Sequence, residues 1–160
     1  MEARNKLQPE ILTGSVLGIG FIPFAPGTFA SFVSLLPLGF ILWYSGREGL
    51  LMYIILTSLL TIWAARLYEN QYGRDAKSFV MDEWAGQGVV FLFIPLRGEM
   101  TDFLILLGTG FLLFRFFDIV KPAGIGSLQK VPDGFGILLD DLLAGIYALI
   151  CLHLLILYVL

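Results

Sequence analysis

Long apolar runs, with the polar residues confined to the stretches between them, set the pattern of this chain. The runs are Phe29–Tyr44, Leu50–Ala65, Phe79–Leu96, Phe103–Phe117 and Leu142–Leu160. Each holds about 15 to 19 residues, at or somewhat under the ~20 that carry a helix across a bilayer. Hydrocarbon offers no water to an unpaired amide, so a segment crossing it must satisfy its backbone internally, as a helix does. The pattern predicts an all-α polytopic membrane protein with about five transmembrane helices. Pro37 lies inside the first run and is expected to kink it, because proline removes a donor and crowds the preceding turn. No internal repeat interrupts the 160 residues, which read as a single domain, 1–160.

Composition supports the membrane reading. Hydrophobic residues make up 58% and charged ones 14%, with a mean hydropathy of +0.84. A soluble domain carries about 25% charged residues, so this chain lacks the polar surface to cover a globule in water. The formal net charge of −3, with no basic tract, excludes nucleic acid as a partner. Cys151 is the single cysteine, so neither a disulfide framework nor a thiolate metal site is available, and it reads as a small buried thiol. His153, deep in the final run, reads as a packed or interfacial histidine. The N-terminus has positive residues but no apolar core followed by a small-residue cleavage site, and is expected to be retained.

The cations orient the chain. With a cytoplasmic N-terminus and five alternating runs, Arg4, Lys6, Arg66, Arg74, Lys77, Arg115, Lys121 and Lys130 fall inside, and Arg47 and Arg97 outside. That bias follows the rule that cytoplasmic loops hold an excess of Lys and Arg. The same topology puts Asp82 and Glu83 at the start of the third helix. Asp118 falls at the end of the fourth, and Asp140 and Asp141 at the start of the fifth. Five acids from three helices therefore meet at one membrane level. For four of them a helix N-terminus is a sufficient reason to be acidic. Asp118 stands at a C-terminus, where the helix dipole disfavours it, and needs a partner.

Three polar segments carry the candidate chemistry. Gly18–Ser31, GIGFIPFAPGTFAS, leads into the first helix, which Thr28 or Ser31 can cap; unpaired amides there could receive a phosphate. Arg74–Gly88, RDAKSFVMDEWAGQG, holds Asp82 and Glu83 beside glycines that allow a neighbouring helix to come close. Arg115–Asp141 brings together Arg115, Asp118, Lys121, Asp133, Asp140 and Asp141 across a loop rich in Gly and Pro. Carboxylates without His or Cys suit Mg²⁺, which binds through a few carboxylates, water and phosphate oxygens. Lys121 or Arg115 would neutralise phosphate charge, the arginine through paired hydrogen bonds.

Taken in order, GIGFIPFAPGTFAS, FVMDEWAG, FRFFDIVKP and GFGILLDDLLAG resemble the phosphatidylglycerophosphatase A family, over nearly the whole chain from Gly18 to Gly145. The resemblance implies a small bacterial inner-membrane protein that removes the phosphomonoester of phosphatidylglycerophosphate with Mg²⁺, its partners being a phospholipid substrate and the bilayer. It singles out Pro26, Gly27 and Thr28; Asp82, Glu83 and Gly86; Arg115, Asp118, Lys121 and Pro122; and Gly136, Asp140, Asp141 and Gly145. The chain departs from the family pattern at Ala30, Gly124, Leu128 and Asp133. The expected mechanism has Asp82, Glu83, Asp118, Asp140 and Asp141 holding Mg²⁺ on the cytoplasmic face. Arg115 and Lys121 balance the phosphoryl charge, and Gly27 and Thr28 add amide donors. Attack by water and a covalent aspartyl-phosphate are both compatible with these residues. Acids within a membrane also mark ion pathways, so a small cation- or proton-coupled transporter is the alternative. Its site would lie near the midplane.

Overall fold

The structure is a computed structural model that describes residues 8–73, 76–94, 99–122, 128, 131 and 134–159. Those residues are helical and contain no strand. In chain order the elements are α1 (Pro9–Gly14), a 3₁₀ turn (Ile19–Phe21), α2 (Pro26–Tyr72), α3 (Asp82–Val89), α4 (Met100–Val120) and α5 (Phe135–Val159). Arg4, Lys6, Arg74, Arg97, Gly124, Lys130 and Asp133 lie outside the described residues.

Among the described residues three helices, α2, α4 and α5, are long and apolar enough to cross a membrane. The first two expected runs prove to be one element, the 47-residue α2, broken at a single residue. Gly46 adopts φ 58 and ψ −145, a backbone state that side-chain-bearing residues avoid. The expected loop Ser45–Gly49 is thus helical on either side of one glycine. Ala30 from the first arm shares a buried cluster with Ala64 and Ala65 from the second, while Leu42 and Leu50, flanking the bend, join another. The arms therefore fold back on each other. Residues 26–45 and 47–72 span about 30 Å and about 39 Å at 1.5 Å per residue. Pro37 does not break the helix: the non-helical dihedrals of α2 are at Gly46. Helices in membranes tolerate proline because neighbouring groups re-satisfy the freed carbonyl.

The third expected run is corrected. Instead of a helix over Phe79–Leu96, the chain forms the eight-residue α3, in which every residue but Trp84 is buried. Asp82, Glu83 and Gln87 make its surface too polar for lipid, and Gly86 and Gly88 make it narrow enough to be enclosed. α3 packs against α2 and α5. A Cβ at Gly86 would stand 2.6 Å from the Asp141 carbonyl oxygen, and one at Gly145 would run into the Gly86 carbonyl. Helices in lipid gain little from apolar burial, so close approach at such small residues is what holds them together. The outward surface is apolar, with Leu36, Phe40, Leu112 and Leu157 exposed. Cys151 and His153 are half-buried in α5.

The last helix begins at Phe135, seven residues before the expected Leu142. Asp140 and Asp141 consequently lie in its second turn, beyond the first turn where a helix dipole alone favours acids.

Candidate active site

Helix ends build the site. α2 starts at Pro26, whose fixed φ and missing N–H suit the first helical position. Neither Thr28 nor Ser31 caps it; the N-cap is Ala25, without a side-chain cap bond. Gly27 and Thr28 instead occupy the first turn and line a cavity of about 640 Å³. Asp82 and Glu83, opening α3, line the same cavity, as do Arg115, Asp118 and Lys121 from the end of α4. Asp140 and Asp141 complete the wall from α5. Gly27, Thr28, Asp82, Glu83, Arg115, Asp118, Lys121, Asp140 and Asp141 thus face one space, whereas Gly86, Pro122, Gly136 and Gly145 do not line it and Asp133 lies outside the described residues.

Within it the charges are divided. Arg115 pairs with Glu83 and, through Nη1, with Asp118 Oδ2 at 3.0 Å. Asp118 has found the cation that its position at a helix C-terminus demands. Lys121 pairs with Asp140. It follows the last residue of α4, at φ 47 and ψ 57. Left-handed backbone costs a non-glycine residue about 1–2 kcal/mol, a strain accepted where the lysine meets the acids. Burial lowers the Lys121 ammonium, but the bond to Asp140 and the charges of Asp140, Asp118 and Asp141 outweigh it. The group sits above its ordinary value and is charged at neutral pH.

Sequence reasoning missed the role of Ser31. Its hydroxyl lies 2.6 Å from Glu83 Oε2, to which it donates, with the Gly27 carbonyl a second acceptor at 3.0 Å. Arg115 Nη1 donates to the Ser31 hydroxyl oxygen at 3.3 Å. Ser31 therefore ties the acid to the arginine at a buried point. Gly27, four residues earlier on the same helix face, has to be glycine, because a Cβ there would collide with Glu83 Oε1. The four-residue spacing of Gly27 and Ser31 was the available signal, and it read equally well as an ordinary cap.

One carboxylate oxygen each from Asp118, Asp140 and Asp141 lie within 4.8 Å of one another. These buried acids form the one group among the described residues that is compact enough for a metal ion. Asp82 and Glu83 stand beside it; the Glu83 amide donates to Asp82 Oδ1 at 3.1 Å. Five carboxylates line the cavity, answered among the described residues by Arg115, Lys121 and Lys77. Such a surplus of buried carboxylates calls for further positive charge nearby or for protonation. The arrangement can therefore gather a cation on the aspartates and an anion on Arg115 and Lys121.

Comparison with known proteins places the chain among lipid phosphatases. A family model described as Phosphatidylglycerophosphatase A matches residues 12–156. A protein named phosphatidylglycerophosphatase A from Haemophilus influenzae is 37% identical over 149 residues, covering 90% of this chain and 86% of its own. The protein of that name from Escherichia coli K12 is 26% identical over 131 residues, covering 81% of this chain and 73% of its own. A Bacteroides thetaiotaomicron protein, provisionally named phosphatidylinositol-3-phosphatase, is 34% identical over 149 residues, covering 88% and 89%. No solved structure gives a significant match. The chain belongs to the phosphatidylglycerophosphatase A family and is a phosphatase of lipid metabolism.

Proposed function

We propose that this phosphatase is Mg²⁺-dependent and converts phosphatidylglycerophosphate to phosphatidylglycerol and phosphate at the cytoplasmic face of a bacterial inner membrane. The observation that carries the reading is the meeting of three close aspartates with Arg115 and Lys121 in one cavity at the end of apolar helices. The family match and the relatives named for this substrate support it. A transporter would need its acids near the midplane, whereas Asp118 is two residues from the end of α4 and Asp82 is the first residue of α3.

The donor set fits Mg²⁺, being oxygen only, acidic and compact. Asp118, Asp140 and Asp141 would hold the ion, with Asp82 and Glu83 completing the acidic wall. Bound there, Mg²⁺ would supply Lewis-acid polarisation of the phosphoryl group. The chain's own residues do the rest. Arg115 and Lys121 face the phosphoryl oxygens and offset their charge, and Gly27 and Thr28 offer first-turn amides. In hydrolysis a water oxygen adds to phosphorus, and the ester P–O bond to the glycerol breaks. The departing lipid oxygen takes up a proton. Asp82, outside the three-aspartate group and not paired to Arg115 or Lys121, is the carboxylate available to accept the proton of the attacking water. A carboxylate attacking phosphorus first, with water then cleaving the acyl phosphate, uses the same groups.

For topology, the two arms of α2, the crossing that contains α3, and helices α4 and α5 would make five passages, with the N-terminus cytoplasmic. The described cations fit this arrangement: Lys77, Arg115 and Lys121 line the cavity, and Arg47 lies at the far end beside the Gly46 bend, its guanidinium over Phe93.

Phosphate release from phosphatidylglycerophosphate by the purified protein, with Mg²⁺ and with a chelator, tests the reading. Phosphatidylinositol 3-phosphate and phosphatidic acid serve as competing substrates. Release is expected to require Mg²⁺, to favour phosphatidylglycerophosphate and to disappear in Asp141→Asn. Preference for the inositol lipid would move the assignment to that substrate, and no release from any of the three by folded protein would sink it.

A further inference from the structure

The cavity has two unlike rims. On one side stands Lys77, a charged and exposed residue from the segment before α3. On the other stands Ile119, which lines the cavity and yet is 66% exposed. The remaining large apolar residues of the lining, Phe79, Val80 and Ile137, are buried. Exposed isoleucine at the edge of a space filled with charges is unfavourable against water, and suits a rim that faces hydrocarbon.

Ile119 marks the top of a seam between α2 and α4. One turn below it on the same face of α4 is Arg115, opposite Gly27, where an added Cβ would stand 3.5 Å from Arg115 Nη1. One turn deeper Phe111 meets Phe32 edge to face, with ring centroids 5.8 Å apart, and closes the seam. Above that closure the lining from the start of α2 and its N-cap is small, Ala25, Pro26, Gly27 and Thr28. The outer surface flanking it is aromatic and aliphatic, with Phe29, Phe32 and Phe116 exposed beside Ile119.

We infer that this seam, between the first turn of α2 and the last turn of α4, is a lateral opening through which a diacyl phospholipid presents its phosphate to Arg115. This rests on the lipid phosphatase reading. The acyl chains stay in the bilayer against Phe29, Phe32, Phe116 and Ile119, while water reaches the cavity over the Lys77 rim. Charge complementarity selects the end of the lipid that enters. The apolar flank selects a ligand with long chains over a soluble phosphate ester.

The test is photo-crosslinking of the full chain in nanodiscs, chelator present, with a phosphatidylglycerophosphate probe carrying diazirines in its acyl chains. Adducts that an excess of unlabelled phosphatidylglycerophosphate competes away are mapped by mass spectrometry. They are expected on the Phe29–Phe32 and Phe116–Ile119 segments, and adducts around Leu59 or Leu157 are expected to resist competition. Competed adducts confined to those other faces, in a preparation that hydrolyses the lipid when Mg²⁺ is restored, overturn the opening and leave the phosphatase reading standing. Absence of hydrolysis overturns that reading, and the opening with it. Ile119→Asn offers a second measurement: KM for the lipid in vesicles should rise about tenfold with kcat changed less than about twofold. An unchanged KM, or equal loss in kcat, counts against the opening.

Discussion

Ser31 sits between two opposite charges, and its hydroxyl is the shortest link between α2 and the acids of α3. A hydrogen bond to a charged group contributes about 1.5–3 kcal/mol. Ser31→Ala should therefore slow phosphate release about 10- to 100-fold, and Ser31→Thr should recover much of it. Equal rates for wild type and Ser31→Ala would show that Glu83 is held by Arg115 alone. Asp141→Asn keeps the side-chain volume but removes one charge from the three-aspartate group. It should lower activity at least about 100-fold with the melting temperature retained. The acids themselves were legible in the sequence, because an ionisable residue beside a membrane run has few structural excuses. Their partners were not. That Arg115 serves both Glu83 and Asp118, and that Lys121 turns left-handed to reach Asp140, depends on how three helix ends meet. Local spacing contains no such information.

At the scale of elements, α3 is the piece that hydropathy misread. Phe79–Leu96 is apolar enough to look like a span, but Gly86 and Gly88 make it a narrow core helix enclosed by α2 and α5. Apolar residues inside a bundle and apolar residues facing lipid give one and the same signal along a sequence. The contact of Gly86 with α5 supplies the distinction, and it yields a prediction. Gly86→Val adds branched volume against the Asp141 backbone. Overpacking of this kind costs about 1–3 kcal/mol or more, so the thermal midpoint in detergent should fall and activity should fall with it. Unchanged stability would mean that α3 and α5 are less tightly joined than their backbones indicate. The bend at Gly46 was half legible: the polar break between runs was seen, but its reduction to one residue depends on backbone conformation. Gly46→Ala should strain that bend by about 1–3 kcal/mol, a loss that thermal unfolding in detergent can read.

Over the whole molecule the charges report on sidedness. Single cysteines placed at Lys77 and at Arg47, in a Cys151→Ser background, should react with a membrane-impermeant maleimide from opposite sides. Lys77→Cys should label in inverted vesicles and Arg47→Cys in intact spheroplasts. Labelling of both from one side would contradict the five-passage topology. The ring of exposed apolar residues predicts that the protein needs detergent or lipid throughout purification, since so large an apolar surface self-associates in water.

The enclosure of α3 also has a consequence for how the molecule is made. Its eight residues open with two acids and are too short to enter hydrocarbon alone. The folded-back α2 can insert early as a hairpin, offering one wall. The other wall is α5, which follows α3 and α4 in the chain. Asp82 and Glu83 are therefore expected to be seated only once α5 has joined α2. Because its lining comes from α2, α3, α4 and α5 together, the cavity is expected to form only once α5 has been inserted.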